Sequence, residues 1–549
     1  IVTFILLGKY LEAAARGRTS GALYKLVNLA PKMSYVLRDG KEILIPSDRI
    51  VIGDMVIVKP GGSIGADGIV VEGYSSVDES MVTGESIPVE KSPGKQVITG
   101  TLNKTGSFTF EAIKVGGQTL LAQIIKLVQE SQGSKAPIQH LADVIAGYFV
   151  PFVIIAAAFS MIAWMLAGQS FSFALAVFIS VLVIACPCSL GLATPAAVMV
   201  ATGIAAQRGI LIKHAEGLQR AAGIDTVVFD KTGTLTKGAP RVTNIIGYNK
   251  SEQEVVCLAA SVEKKSEHPL AEAIVKHAEE TGCVLKQVRD FVSHPGRGVS
   301  ANIEGEKIVL GNRRLLEQKN IQIPPKILED SGKFEAEGKT VMFAAGSARI
   351  YGILAVGDTI KDYAQDAVSL LKNMGKRVVM ITGDNQRAAK YISRLLSVDD
   401  VLAEVLPQDK ESEVKNLQGR GRKIAMVGDG INDAPALAQA DVGIAIGSGT
   451  DIAIESADVV LVRSDPRDVA TVIDLSRYAL KKIRQNLFWA FFYNIIGIPI
   501  AAGALYPFTG FLLNPMVAAA AMAFSSVSVV TNALMMARYK SPELKRFSR

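Results

Sequence analysis

Two long stretches of the chain contain no charged residue. The first, Val144–Gln207, is interrupted by a Gly-Gln-Ser sequence at 168–170, and the second, Leu487–Ala537, is broken by Pro507 and Gly510. Because about 20 apolar residues form one membrane-spanning helix, each stretch predicts two such helices joined by a short turn. We therefore expect two helical hairpins in a membrane.

The opening apolar run, Ile1–Gly8, is shorter than one span requires. We expect it to be the end of a helix that begins before this sequence, so the pattern predicts five membrane segments. The turns at 168–171 and 506–514 carry no Lys or Arg, whereas basic residues flank the opposite ends of both hairpins. Because basic residues favour the cytoplasmic side of a membrane, the large soluble insertions are expected in the cytoplasm.

The composition agrees with a membrane protein that has large soluble parts. Of 549 residues, 49% are apolar and 20% are charged. The net charge is +7, but Lys and Arg are spread through the soluble segments and beside the apolar runs, so the expected partner is a lipid bilayer and not a nucleic acid. Two of the four cysteines lie in an apolar stretch, so no disulfide framework of the secreted type is expected.

The two soluble insertions differ in their pattern. Residues 30–125 contain short β-like runs such as Asp54–Val58, punctuated by Gly and Pro, and predict a small β domain. Residues 215–475 alternate helical stretches with apolar strands, which predicts a parallel α/β sheet with strands at 226–229, 377–381 and 423–427. Residues 241–349 interrupt this alternation and are expected to form an inserted lobe.

The sequence Asp-Lys-Thr-Gly-Thr-Leu-Thr at 230–236 follows the first of these strands directly. An aspartate at the carboxyl end of a strand, followed by small and hydroxyl residues, places a carboxylate nucleophile where backbone amides can hold a phosphoryl group. Phosphoryl transfer also needs a cation for the phosphate and carboxylates for Mg²⁺. Later loops offer these groups in Thr382, Gly383, Asp384, Lys410, Asp429 and Asp433.

With these loops in place, the chain resembles the P-type ATPases, whose phosphorylation signature matches residues 230–236 without a mismatch. The resemblance implies that Asp230 accepts the γ-phosphate of ATP, with Thr232 in the same loop. It implies that Lys410 and Thr382 contact the phosphate and that Gly383 and Asp384 belong to the nucleotide site. Mg²⁺ is then expected at Asp230, Asp429 and Asp433.

The first insertion contains Thr-Gly-Glu-Ser at 83–86. Taken alone this is a surface turn, but in the P-type ATPases the same motif belongs to the actuator domain, which drives hydrolysis of the aspartyl phosphate. Glu85 has suitable chemistry, because a carboxylate can align and deprotonate a water molecule. The resemblance implies that Glu85 is catalytic.

The inserted lobe carries Ser-Glu-His-Pro at 266–269 and several glycines. A histidine can stack on or hydrogen-bond to adenine, and glycines allow a nucleotide to approach the backbone. The set resembles the nucleotide-binding lobe of the heavy-metal P-type ATPases. ATP contacts are therefore expected at Glu263, His268, Gly296, Gly298, Gly311 and Asn312.

Cys186-Pro187-Cys188 lies within an uncharged span. Proline breaks helical hydrogen bonds there, and two thiols beside the break offer ligands to a soft metal ion. Zinc or cadmium would favour a charged partner in the membrane, but 487–537 has none and contains Tyr493, Asn494, Met522 and Ser525 instead. These motifs resemble the copper(I)-exporting branch, and silver(I) is equally compatible.

The resemblance implies a multidomain membrane protein with helical spans and an inserted cytoplasmic α/β unit. The expected segments are the end of a span with a cytoplasmic extension (1–29), a mainly β actuator domain (30–125), a helix pair with the Cys-Pro-Cys (126–214), a haloacid-dehalogenase-like phosphorylation domain (215–240 and 350–475), an α+β nucleotide-binding domain (241–349) and a C-terminal helix pair with a tail (476–549). The expected location is the plasma membrane, with a cytosolic copper chaperone or thiol donor as partner.

Three other functions stay open on the sequence. A zinc, cadmium or lead pump is the alternative within the family. A membrane-tethered phosphatase would share the aspartate-nucleophile α/β core but needs neither Thr-Gly-Glu-Ser nor an intramembrane Cys-Pro-Cys. A non-catalytic copper-binding membrane protein is disfavoured by the complete set of phosphorylation loops.

Overall fold

The computed structural model describes residues 29–38, 40–80, 88–134, 136–186, 188–266, 268–294, 297–346, 349–429, 433–447 and 455–541, with Leu6, Tyr10 and Ala13. The chain divides into two compact units, the first formed by residues 1–223, 458–463 and 468–549 and the second by residues 224–457 and 464–467.

The first insertion forms the predicted small β domain. Its strands are β1 (Met33–Arg38), β2 (Lys41–Pro46), β3 (Met55–Val58), β4 (Asp67–Gly73), β5 (Ser75–Asp78), β6 (Val89–Lys91), β7 (Gln96–Val97), β8 (Leu102–Asn103) and β9 (Phe108–Lys114). They make one sheet in the order β2-β1-β3-β9-β4-β7 and another in the order β6-β5-β8. Alternate residues such as Val56, Val58, Phe108 and Phe110 fill the core, as expected for strands with one buried face. Glu85 lies outside the described residues.

Four helices follow: α1 (Leu120–Gly133), α2 (Pro137–Leu166), α3 (Phe171–Ile184) and α4 (Cys188–Ala206). The predicted turn at 168–170 separates α2 from α3. The second predicted span is divided into α3, which ends at Ile184, and α4, which begins at Cys188. Cys186 therefore follows the end of one helix and Cys188 begins the next.

The second unit begins after a short linking segment with β10 (Ile210–Ile212) and α5 (Ala215–Gly223), and opens with β11 (Thr226–Asp230). The inserted lobe then consists of β12 (Thr236–Gly247), α6 (Glu252–Glu263), α7 (Pro269–Glu280), β13 (Val288–His294), β14 (Gly298–Ile303), β15 (Glu306–Gly311), α8 (Arg313–Gln318), α9 (Pro325–Ala336), β16 (Thr340–Ala345) and β17 (Ile350–Ile360). Its antiparallel sheet has the order β12-β17-β16-β15-β14-β13. The sheet of the lobe thus extends beyond the expected bounds 241–349 on both sides.

The chain continues through α10 (Ala364–Asn373), β18 (Arg377–Ile381), α11 (Gln386–Leu396), β19 (Asp400–Leu402), α12 (Lys410–Gly419), β20 (Ile424–Gly428), α13 (Ala434–Gln439) and β21 (Val442–Ile446). Strands β21-β20-β11-β18-β19 run parallel in that order. Every residue of β11, β20 and β21 is buried, because helices cover both faces of a parallel sheet. The carboxyl ends of these strands therefore meet at one edge.

The remaining elements are β22 (Val459–Leu461), which pairs antiparallel with β10, and the helices α14 (Arg467–Ala501), α15 (Tyr506–Thr509) and α16 (Pro515–Leu534). Within the described chain, three segments are long and apolar enough to span a membrane, at Pro137–Leu166, Phe171–Ala206 and Pro515–Arg538. Helix α14 is not among these three. Its first half is rich in charged residues and only its last part is apolar, so the predicted span that begins at Leu487 stays a prediction.

The inserted lobe contains a feature that the sequence did not predict. Cys257 of α6 and Cys283, which follows α7, form a disulfide in the inserted lobe. The two residues are 26 positions apart in the chain, and only the packing of α7 against α6 in the core of the lobe brings them together.

Candidate active site and membrane cavity

The predicted phosphorylation loops meet at the carboxyl edge of the parallel sheet. Asp230 ends β11, Thr382 follows β18 and Asp429 follows β20, so the strand order places their side chains in one region. Lys410 enters from the first residue of α12. Its Nζ donates hydrogen bonds to Asp230 Oδ1 at 2.7 Å and to Asp433 Oδ1 at 2.6 Å. The site is thus built around one lysine shared by two aspartates.

These three groups are almost completely withdrawn from solvent, with exposed fractions of 4% for Asp230, 7% for Lys410 and 1% for Asp433. Burial and the neighbouring Asp433 raise the pKa of Asp230 to about 7, against the opposing effect of Lys410. Burial followed by Asp433 also raises the pKa of Asp429. Burial alone would lower the pKa of Lys410, but the charges of Asp230 and Asp433 together raise it. Three carboxyl groups therefore lie near Lys410, and Lys361 also interacts with Asp429. The carboxyl groups outnumber these two lysines, and the excess negative charge favours an added cation.

The carboxyl groups fit Mg²⁺. Asp433 Oδ2 is buried and has no hydrogen-bond partner in the described part of the chain, which is costly unless a ligand or water satisfies it. Gly233 has φ of +73°, and a Cβ atom there would lie 2.6 Å from Asp429 Oδ2, so glycine is what allows this carboxylate to approach the phosphorylation loop. Among the described residues no three His, Cys, Asp or Glu side chains form a complete metal cage. Magnesium sites usually combine one or two carboxylates with water and substrate phosphate.

Thr232 and Gly383 lie exposed at the same edge. Thr382 is buried, and its Oγ1 accepts a hydrogen bond from the backbone N–H of Asp384 at 3.1 Å. Asp384 Oδ2 in turn pairs with Lys231 Nζ at 2.6 Å. Lys231 and Asp384 line a cavity of about 270 Å³ between the parallel sheet and the inserted lobe, a suitable place for the polyphosphate of a nucleotide.

Two further residues hold the phosphorylation loop and were missed from the sequence. Asp358, at the end of β17, accepts hydrogen bonds from Thr236 Oγ1 and from the backbone N–H of Gly238. Lys361 Nζ donates to the backbone carbonyl of Gly233 at 2.6 Å and to Ser464 Oγ at 2.7 Å. An Asp-x-x-Lys sequence after a buried strand was the available signal, but nothing in the sequence linked it to a loop more than a hundred residues earlier.

We expect Lys361→Met to slow formation of the phosphoenzyme by about 10- to 100-fold, because misplacing a reacting group by a fraction of an ångström has effects of this size. Burial lowers the pKa of Lys361 to about 8, although the negative charges of Asp429 and Asp358 act to raise it. The ammonium group is therefore still charged at neutral pH. Lys361→Arg should retain most of the rate. Lys237→Met, which removes an exposed ion pair with Asp362, is the matched control in a rapid-quench measurement of phosphoenzyme formation. Equal rates for Lys361→Met and the control would contradict the positioning role.

The inserted lobe contains a cavity of about 310 Å³ lined by predicted nucleotide residues, namely Glu263, His268, Gly298 and Asn312, together with Arg297 and His294. His268 also caps α7, since its Nδ1 accepts from Leu270 N at 3.2 Å. Gly311 pairs with Gly298 across β14 and β15, where a Cβ on Gly298 would lie 2.2 Å from the Leu310 carbonyl oxygen. The two glycines therefore keep the strands close behind the cavity. Gly296 lies outside the described residues.

Glu263 gives this cavity a pH dependence that can be measured. Burial raises the pKa of its carboxyl to about 7, against the hydrogen bond from Ser266, so Glu263 is protonated below pH 7 and charged above it. ATP binding that buries the carboxyl further takes up a proton, so affinity should fall by up to about tenfold between pH 6 and 8. Glu263→Gln should remove this dependence. A steep profile that persists in Glu263→Gln would show that another group is responsible.

The predicted metal ligands line a cavity of about 300 Å³ among the membrane helices. Cys186 comes from the break after α3, Tyr493 and Asn494 from α14, and Met522 and Ser525 from α16. Ser525 Oγ lies 3.3 Å from Ser189 Oγ of α4. The Cys186 sulfur is in a disulfide in this structure, so it must be reduced before it can bind a metal ion. Cys188 is the first residue of α4, and its side chain is not among the parts of the chain that the structure describes.

A chain of buried and partly buried polar contacts joins three of the helices that line this cavity or lie beside it. Asn486 Nδ2 donates to the Ala193 carbonyl oxygen of α4 at 3.0 Å, and Asn486 Oδ1 accepts from Asn532 Nδ2 at 2.7 Å. Lys482 Nζ donates to Asn532 Oδ1 at 2.7 Å. Polar residues that hydrogen-bond between membrane helices fix their packing, so this chain holds α4, α14 and α16 together.

An aspartate at the end of a strand of a parallel sheet, an inserted lobe with a cavity, a β domain and membrane helices define the architecture of an ATPase that is phosphorylated on an aspartate. A model of the haloacid dehalogenase-like hydrolases matches residues 224–441, a second such model matches residues 411–473, and one of the P-type ATPase actuator domain matches residues 28–129. The chain belongs to the heavy-metal P-type ATPases.

Individual relatives support this assignment. The chain is 51% identical to a probable copper-exporting P-type ATPase of Archaeoglobus fulgidus, over 99% of this chain and 67% of the relative. It is 50% identical to a copper-exporting P-type ATPase of Staphylococcus aureus, over 98% of this chain and 66% of the relative. The chain thus spans about two thirds of their length. A zinc-transporting PIB-type ATPase in the E2.Pi state matches with a TM-score of 0.66 at 34% identity, covering 97% of this chain and 86% of the other.

Proposed function

We propose that this chain is the core of an ATP-driven exporter of copper(I), which forms an aspartyl phosphate on Asp230 in each cycle. The observation that carries the proposal is the cavity in which Cys186, Met522, Tyr493 and Asn494 converge from separate elements. Sulfur ligands of this kind select soft monovalent ions. Two relatives at about 50% identity are named as copper-exporting ATPases, which supports copper as the transported ion.

In the proposed phosphorylation step, a carboxylate oxygen of Asp230 attacks the γ-phosphorus of ATP. The new bond is the acyl phosphate, and the bond that breaks is the one to the oxygen that leaves with ADP. Lys410 holds Asp230 in position through the 2.7 Å hydrogen bond and neutralises part of the charge on the phosphoryl group. When bound at Asp230, Asp429 and Asp433, Mg²⁺ would supply further neutralisation of the phosphate oxygens.

Hydrolysis of the acyl phosphate needs a group that directs water to phosphorus. Glu85 is our candidate on the resemblance alone, as a general base in the actuator domain. The shape of the Thr-Gly-Glu-Ser loop adds no support, since this loop lies outside the described residues.

A zinc pump is the second candidate, and the similarity to a zinc-transporting structure is the reason to test it. Zinc sites combine thiolates with imidazole or carboxylate ligands. The residues lining the cavity include one cysteine, one methionine, Asn494, Tyr493 and Ser525, and no acidic side chain in the described lining. This composition favours copper(I).

We further propose that the pump lies in the plasma membrane with its soluble domains in the cytoplasm, and that a copper chaperone or a thiol compound delivers the ion. The absence of basic residues from both hairpin turns supports the orientation. Because free copper(I) binds thiols tightly, delivery by a thiol ligand is chemically reasonable.

The decisive experiment measures ATP hydrolysis by the full-length protein in lipid vesicles, titrated separately with copper(I), silver(I), zinc(II) and cadmium(II) under reducing conditions. Copper(I) and silver(I) should stimulate hydrolysis at least about tenfold more than the divalent ions. Stimulation by zinc(II) and not by copper(I) would overturn the choice of ion while leaving the family assignment intact.

A further inference from the structure

The Cys257–Cys283 disulfide of the inserted lobe has no part in the phosphorylation or metal chemistry described above. Both residues are partly exposed, so small thiol reagents can reach them. Disulfides are rare in cytoplasmic proteins, and those that do form there are usually reversible and redox-sensing. On the proposed orientation, this pair therefore lies in a compartment where it can cycle between dithiol and disulfide.

The disulfide joins elements that contribute to the nucleotide cavity. Cys257 lies in α6, which ends at Glu263, a residue of the cavity lining. Cys283 lies in the connection between α7, whose first turn is capped by His268, and β13, which ends at His294. Glu263, His268 and His294 all line the cavity of about 310 Å³. The cross-link thus restrains the relative positions of three elements that surround the nucleotide.

One non-covalent contact already joins the same two segments. Ser261 Oγ, one helical turn after Cys257, donates to the Cys257 carbonyl oxygen at 2.6 Å and accepts from the backbone N–H of Lys286 at 2.9 Å. This contact keeps the connection beside α6 when the sulfurs are reduced, so the disulfide can form again without a large rearrangement. Reduction would loosen the connection without unfolding the lobe.

We propose that Cys257 and Cys283 form a reversible thiol–disulfide modification site that adjusts the affinity of the lobe for ATP. The two thiols lose two protons and two electrons as the S–S bond forms, and a low-molecular-weight disulfide accepts them and yields two thiols. The oxidised lobe binds ATP more tightly, because the cross-link already restricts the motion of the elements around the cavity. Binding of ATP then loses less conformational entropy than in the reduced lobe. The effect on ATP rests on the proposed function of this cavity.

The test uses the full chain with Cys186→Ser and Cys188→Ser, which removes the two membrane thiols and leaves the nucleotide lobe unchanged. The protein is equilibrated with defined mixtures of reduced and oxidised glutathione and digested with trypsin without reductant. Cleavage after lysines should then release residues 251–264 and 277–286 as one disulfide-linked species, which separates on adding dithiothreitol. ATP binding is measured on the same samples, with the additional Cys257→Ser and Cys283→Ser variant as control.

The linked species should appear as the glutathione mixture becomes more oxidising, and the dissociation constant for ATP should fall by about threefold in parallel. The control variant should show one constant affinity, equal to that of the reduced protein. Failure to find the linked species in any mixture would overturn the modification site. A linked species with unchanged ATP affinity would overturn the regulatory effect, and a lobe that binds no ATP in either state would overturn the proposed function of the cavity instead.

Discussion

Replacing Asp230 by Asn should lower phosphoenzyme formation from ATP by at least about 1,000-fold and reduce ATP hydrolysis to background, because an amide cannot form an acyl phosphate. The protein should still fold and insert into the membrane. Asn has the size of Asp, and burial raises the pKa of the Asp230 carboxyl to about 7, which means that its charge opposes folding at neutral pH, so a neutral amide there should not destabilise the fold. The measurement is the amount of radiolabelled, hydroxylamine-sensitive phosphoenzyme after incubation with labelled ATP.

Asp225→Asn is the matched control. Asp225 immediately precedes β11, at the other end of the strand from Asp230, and it accepts hydrogen bonds from Thr226 Oγ1 at 2.6 Å and from the backbone N–H of Lys423 at 3.1 Å. The same change there loses a structural contact and no nucleophile, so labelling should persist. A normal amount of acyl phosphate in the Asp230→Asn variant would show that Asp230 is not the nucleophile.

Cys186→Ser should lower copper(I)-stimulated ATP hydrolysis by at least about 100-fold, because a hard hydroxyl replaces a soft sulfur ligand. The change lies in the membrane cavity, so the phosphorylation chemistry itself should be intact. Inorganic phosphate should still label Asp230 in the absence of copper. A variant that is not stimulated by copper(I) but is still labelled by inorganic phosphate has lost a metal ligand. A misfolded variant would lose both properties.

The control for this variant is Ala185→Ser, which introduces the same hydroxyl one residue away. Ala185 is buried against α3 and its neighbours, and the residues that line the cavity do not include it. Membrane helices accommodate serine at packed positions, so copper(I) stimulation should be retained. Equal loss of stimulation in both variants would point to a packing effect and remove the support for Cys186 as a ligand.

The sequence predicted elements best where one chemical pattern extends over a whole segment. The buried strands that became β11, β18 and β20 are largely apolar runs, and their ends were predicted to within one residue because an aspartate lies at or just after the end of each strand. The prediction of two hairpins also agrees with the turns before α3 and before α16. The extent of the inserted lobe was harder to predict. Strands β12 and β17 combine polar and apolar residues, and this pattern does not indicate which sheet a strand joins.

Residues that act through long-range contacts and belong to none of the recognised motifs could not be identified from the sequence. Lys361 holds the Gly233 carbonyl through a contact that spans 128 residues, and Asn486 meets Ala193 across 293 residues. Single Lys and Asn residues are common on surfaces and in helices, so neither suggested its partner. The disulfide between Cys257 and Cys283 was not predicted for a similar reason, because composition alone says nothing about which cysteines meet.

The sequence by itself predicted that Asp230 is the nucleophile of a phosphorylation site, because the residues around it match the P-type ATPase signature and aspartate-bearing loops follow later strands. It also determined the soft character of the membrane ligands, which depends only on residue type. Tertiary structure alone decided that Lys410 is shared between Asp230 and Asp433, that Lys361 supports the loop beside them, and that Cys186, Asn494 and Met522 line one cavity. Side-chain chemistry is a property of each residue, whereas distances between residues far apart in the chain are set by how helices and sheets pack.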